Sequence, residues 1–149
     1  MKLEELHKAV GDWVGTGTMN VGHHSGPTFE RLTIEPTDFP DSFSYIRKSR
    51  IAFPGRDLLH HEIGYLKVDS ASIMLSRGTY VILDWNEKTK QYEYNTSSDG
   101  TRDVVRTITF QDDTIMMWDS TMEVLQRGEW QRHLACTEFR LVAKNLTIG

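Results

Sequence analysis

Arg132-His133-Leu134-Ala135-Cys136-Thr137-Glu138-Phe139-Arg140 reads as one strand. Side chains on a strand alternate between its two faces. One face then carries His133, Ala135, Thr137 and Phe139, and the other carries Leu134, Cys136 and Glu138. Beyond the histidine its face offers only small residues before Phe139. That leaves room for a bulky partner above His133, and imidazole is a common ligand of iron in a haem. A hydrogen-bonded structural histidine is the ordinary alternative for this segment taken alone.

Working outward, the rest of the chain repeats the strand pattern. Runs near 12–21, 28–35, 43–51, 58–68, 71–76, 79–85, 90–96, 102–110, 113–119, 120–126 and 130–142 read as strands. The stretch 113–126 reads as one strand or two. Turn residues separate the runs: Gly22 and Gly26-Pro27, then Pro36, Pro40 and Asp41-Ser42, then Pro54-Gly55. Asp84-Trp85-Asn86, Ser98-Asp99-Gly100 and Gln111-Asp112-Asp113 mark later ones. Before the strands, Leu3, Leu6 and Val10 fall at helical spacing and predict one short helix ending at Gly11. The expected fold is all-β: about ten antiparallel strands in a meander, closed into a barrel of the lipocalin or fatty-acid-binding kind. Closure removes exposed edges, and this many strands leave space for a small ligand inside. A sandwich without a cavity is the competing architecture.

The 149 residues fit a single domain, 1–149, that buries roughly 68–70% of its extended surface. Seventeen basic residues are scattered among 21 acidic ones, for a net charge of -4. No basic face stands out, so nucleic acid is not an expected partner. Cys136 is the one cysteine, which rules out a disulfide within the chain or a four-cysteine zinc site. The polar, acidic N-terminus does not read as a signal peptide, and no stretch is long and apolar enough for a membrane helix. The expected location is the cytoplasm. In that setting the Asn95-Thr96-Ser97 and Asn145-Leu146-Thr147 glycosylation patterns read as chance.

Two further motifs bear on function. Gly11-Asp12-Trp13-Val14-Gly15-Thr16-Gly17 follows the helix. Its tryptophan suits the plug of a barrel end, and its glycines let the strand bend. Leu59-His60-His61-Glu62-Ile63-Gly64-Tyr65-Leu66-Lys67 puts His60, Glu62, Gly64 and Leu66 on one face. Facing inward, His60 is a polar group suited to orienting a ligand, with Glu62 placed to hold it. Facing outward, the same residues are ordinary surface polarity.

Taken together, these three segments resemble the nitrobindin family of haem-binding barrels over roughly residues 6–142. The resemblance implies a ten-stranded barrel closed by a short helix, holding one haem b per chain as ferric iron. It further implies binding of nitric oxide and isomerisation of peroxynitrite to nitrate. By position, His133 is the iron ligand and His60 lines the haem pocket. Leu59 stands where the family often has methionine, and Met122 corresponds to a pocket methionine. The family's Pro-Thr-Ile turn beside the haem is matched only by Pro27-Thr28, which nominates Thr28. In Gly22-His23-His24-Ser25-Gly26 and in Tyr45-Ile46-Arg47 the chain departs from the family pattern. Those departures bear on the mouth of the pocket and its open side more than on the fold; His23 and His24 read as surface loop histidines, with reach to the haem edge as the alternative. A homodimer is left open.

A carrier of a fatty acid or other apolar ligand without metal is the alternative, with Arg106 or Arg140 to meet a carboxylate. A barrel serving only as an interaction module is the third reading. A zinc site is disfavoured, because His60 and His61 point to opposite faces. A Cys136–His133 nucleophile pair is disfavoured for the same reason.

Overall fold

The computed structural model describes residues 1–144, so Asn145 lies outside the described residues. Helix α1 (Leu3–Ala9) precedes ten strands. These are β1 (Gly11–Val21), β2 (His24–Pro36), β3 (Ser42–Phe53), β4 (Arg56–Lys67) and β5 (Ser70–Leu75), followed by β6 (Tyr80–Asn86), β7 (Gln91–Ser97), β8 (Thr101–Asp112), β9 (Ile115–Gln126) and β10 (Glu129–Ala143). Each strand pairs antiparallel with the next, and β1 pairs with β10 to close the barrel. Closure sets the sandwich aside. Among the described residues no helix is long and apolar enough to cross a membrane.

Two local readings are decided by pairing. The stretch 113–126 holds one strand, β9 from Ile115, because Asp119 and Ser120 keep their partners Cys136 and Ala135 on β10 without a break. The first connection is shorter than expected. Only Gly22-His23 turns, and Gly26-Pro27 lies inside β2. Pro27 is exposed and precedes the first β2–β3 pair, Thr28 with Ile51, so no bond to β3 is lost.

Helix α1 closes one end. Leu6 and Ala9 are fully buried, while Leu3 stays largely exposed. The Trp13 indole N–H donates to the Ala9 carbonyl at 2.9 Å, tying the first strand to the helix. Behind this lid the interior is packed with rings. Trp118 meets Tyr45 edge-on at 5.3 Å and Phe139 at 5.9 Å, contacts worth about 0.5–1.5 kcal/mol each beyond burial. On β4, Gly64 is required by this packing. A side-chain carbon there would come within 2.7 Å of the Tyr45 ring and 2.1 Å of the Ser72 carbonyl oxygen.

Candidate ligand-binding site

The half of the barrel away from α1 is hollow. It encloses a cavity of about 1150 Å³ with Met19, Val21, Ile51, Leu58, Leu75 and Met122 among its walls. The gradient along β10 shows why. Its inward residues run Phe139, Thr137, Ala135, His133, from a fully buried ring at the closed end to small groups toward the mouth. The alternation predicted for this strand holds, with Leu134 and Cys136 exposed on the outside.

His133 lines the cavity and stands directly across from Met122 on β9. Its Nε2 is buried and has no hydrogen-bond partner. An unpaired buried polar atom costs roughly 1–3 kcal/mol, so this nitrogen is an acceptor or donor in want of a partner. Burial, together with the positive charges of Arg77 and of a protonated His60, lowers the His133 pKa below its ordinary 6.5. The ring is therefore neutral at pH 7, the form that ligates metals.

His60 lies on β4, turned inward to the same cavity. Burial lowers its pKa, with Glu62 opposing and Arg47, Arg106 and Arg77 assisting. Glu62 does not hold its ring as expected. The neighbour of His60 Nδ1 is the Ser76 hydroxyl, at 3.5 Å, while Glu62 is committed elsewhere.

That commitment builds a polar floor under the cavity. Glu62 accepts two hydrogen bonds from Arg106, at 2.5 and 3.1 Å, and one from the Tyr45 hydroxyl at 2.5 Å. Arg106 Nε also donates to Ser120 at 2.9 Å. Beside this cluster, Glu30 accepts from Arg47 at 2.8 Å, from Ser49 at 2.5 Å, and from Thr137. All these residues are buried. Burial works against an ionised Glu62, yet Arg106, Arg47 and the hydrogen bonds prevail and bring its pKa down to about 2. Glu30 is lowered likewise: burial opposes, and Arg47, Ser49 and Thr137 outweigh it. Two guanidiniums face two carboxylates, so the floor is charge-balanced. A space of about 40 Å³ lies within it, sharing Met19, Ile51, His60 and Met122 with the cavity above.

The other nominated residues fall in different places. Thr28 is buried in the floor, its hydroxyl 3.5 Å from Glu30, rather than in the main cavity wall. Leu59 reaches the rim but its side chain is 75% exposed, as expected next to an inward His60. His24 stands at the rim against Phe53, and His23 is exposed in the turn. Arg140 points outward and pairs with Glu138 at 3.2 Å, so it does not serve the cavity. Two cations that the sequence did not nominate flank the mouth, Arg77 and Arg127. Arg127 is placed by the two-residue β9–β10 turn, in which it and Gly128 both take left-handed backbone, φ 52° and 78°. Among the described residues no group of three or more His, Cys, Asp or Glu gathers as a metal site.

No family model matches this chain, and no curated protein matches it. Solved structures do. An S-type phycobiliprotein lyase, CPES, from Guillardia theta aligns with TM-score 0.63 at 12% identity, covering 96% of this chain and 94% of the other. Rv2717c from M. tuberculosis aligns with TM-score 0.61 at 17% identity over 94% and 97%. EF1p2_mFAP2b, whose structure holds DFHBI, aligns with TM-score 0.51 at 13% identity over 94% and 99%. At these identities the likeness is one of fold alone.

Proposed function

We propose that the barrel binds one small, largely apolar ligand in its open half, and that this ligand is haem b held through His133. The observation that carries the reading is the unpartnered His133 ring nitrogen at the wall of a cavity of about 1150 Å³. That space reaches beyond the roughly 300–1,000 Å³ of ordinary small-molecule pockets. The residues present fit the group. A neutral imidazole supplies an iron ligand, Met122 and the aliphatic walls supply a dry shell, and Arg77 and Arg127 stand at the mouth to meet propionates. Two of the structural neighbours, a phycobiliprotein lyase and a barrel bound to DFHBI, are compatible with a small-ligand barrel.

Bound haem would supply an iron that takes nitric oxide and, following the nitrobindin resemblance, isomerises peroxynitrite to nitrate. This chain's share is ligation by His133, a polar contact from His60 and exclusion of bulk water by the apolar wall. The floor has a further consequence. Arg106 is fully matched by Glu62, so an acidic ligand finds no free cation below and directs its carboxylates to the mouth. The same cavity suits a fatty acid or other apolar cargo without metal, but Arg106 is not free to grip it.

The test sets hemin against a fluorescent fatty-acid analogue on the purified protein, then follows peroxynitrite decay with the holoprotein. Tight hemin binding with a histidine-type Soret band and a raised nitrate yield support the full reading. Haem binding with unchanged decay leaves a haem or nitric oxide binder. Fatty-acid binding without hemin binding selects the carrier.

A further inference from the structure

The polar floor contains an unused donor. Arg106 engages every side-chain nitrogen: Nε with Ser120, Nη1 with Tyr45 and Glu62, and Nη2 with Glu62. Arg47 does not. Its Nε donates to Glu30 at 2.8 Å and its Nη2 to Thr137 at 3.2 Å, while Nη1 makes no hydrogen bond among the described residues. Arg47 is nevertheless only 5% exposed. Its guanidinium carbon lies 5.4 and 5.5 Å from the ring centres of Trp118 and Phe139. A buried N–H without an acceptor is costly, and a guanidinium carries donors only. What Arg47 lacks is one more lone pair.

Arg47 lines the space of about 40 Å³ within the floor. Ser49 lines it too, with Glu30 directly across on β2 and His60 directly across on β4. About 10–15 Å³ of such space already holds a water, so this one takes a hydroxyl or carbonyl group together with the carbon that bears it. Met19, Ile51 and Met122 border both this space and the cavity above. A molecule whose apolar body lies in the cavity therefore reaches the floor with one polar end.

Charge decides which end. Glu30 and Glu62 both keep their charge and face Arg47 and Arg106. A carboxylate added here would lie against two carboxylates with no free cation to meet it. An ammonium would lie against two guanidiniums. Either is a desolvated charge left unpaired. A neutral oxygen takes the spare N–H without that penalty. We infer that the floor is a head-group subsite, in which Arg47 Nη1 donates a hydrogen bond to the neutral hydroxyl or carbonyl oxygen at the end of an apolar ligand. Alcohols and ketones then enter head first, while acids keep their carboxylates at the mouth beside Arg77 and Arg127. This subsite does not use His133, so it stands apart from the haem reading.

The test titrates dodecanol and dodecanoic acid against the full chain by displacement of a fluorescent apolar probe. Wild type is compared with Arg47→Met/Glu30→Gln, which removes both charges of the pair together. Dodecanol affinity should fall by roughly tenfold or more in the variant, and dodecanoic acid should bind both proteins alike. A second measurement needs no variant. The infrared carbonyl stretch of a long-chain methyl ketone bound to wild type should lie below its value in hexane, as for a carbonyl accepting from a guanidinium. An unshifted stretch, equal dodecanol affinity in the two proteins, equal loss of alcohol and acid, or failure of wild type to bind dodecanol overturns the proposal. Wild type that binds hemin but shows no head-group effect refutes this subsite alone. Wild type that shows the effect but does not bind hemin refutes the haem reading alone.

Discussion

The two ends of β10 share one strand and one face, yet they are built for different purposes. At the closed end Phe139 is wholly buried against Trp118, under the lid made by α1 and Trp13. At the open end His133 borders the cavity and leaves a ring nitrogen without a partner. Between them lies Thr137, donating to Glu30 in the polar floor. One half of the barrel spends its side chains on stability, and the other keeps space and an unsatisfied group for a ligand. The charge-balanced floor separates the halves and keeps the cavity from being filled by the core.

The largest effect should come from the packed half. Phe139→Ala opens a hole among Trp118, Arg47 and the backbone at Gly15, and should cost about 3–5 kcal/mol by chemical denaturation. A cost under about 1 kcal/mol would mean that the closed end is not the stability core.

The floor should come next. Glu62→Ala leaves Arg106 buried and uncompensated, and should cost about 3 kcal/mol. The pH dependence has a definite sign. Glu62 has a folded pKa of about 2 against an ordinary 4.5, and Glu30 is lowered as well. Their stabilisation is full above about pH 4.5 and drains away as pH falls toward 2. Wild-type stability should therefore fall through that window, and the Glu62→Ala variant should show a shallower fall. Parallel profiles would place the acid sensitivity elsewhere.

Much of this division could be read from the chain. Strand alternation alone puts His133, Ala135, Thr137 and Phe139 on one face, and the motif after the helix marks Trp13 as the plug. Alternation also puts Leu59 on the face opposite His60, and the structure shows it largely exposed at the rim of the cavity. The floor was not legible. Its partners are 17 residues apart for Arg47 and Glu30 and 44 apart for Arg106 and Glu62. Nothing local states which carboxylate meets which guanidinium. The one available signal was parity: Phe43, Tyr45, Arg47, Ser49 and Ile51 share a face, so Arg47 had to be an inward cation needing a partner.

The smallest stability effect should come from the open half. His133→Ala removes an unsatisfied polar group from the edge of a cavity, and should change stability by less than about 1 kcal/mol. A large loss would make His133 a structural residue and blur the contrast between the two halves.

This same substitution, nearly silent for folding, should remove the ligand site. Titration of hemin into wild type and His133→Ala, followed by absorbance, tests it directly. The wild type should saturate at one haem per chain with a histidine-type Soret band, and the variant should lose or severely weaken that band. Equal hemin affinity in the two proteins would contradict it.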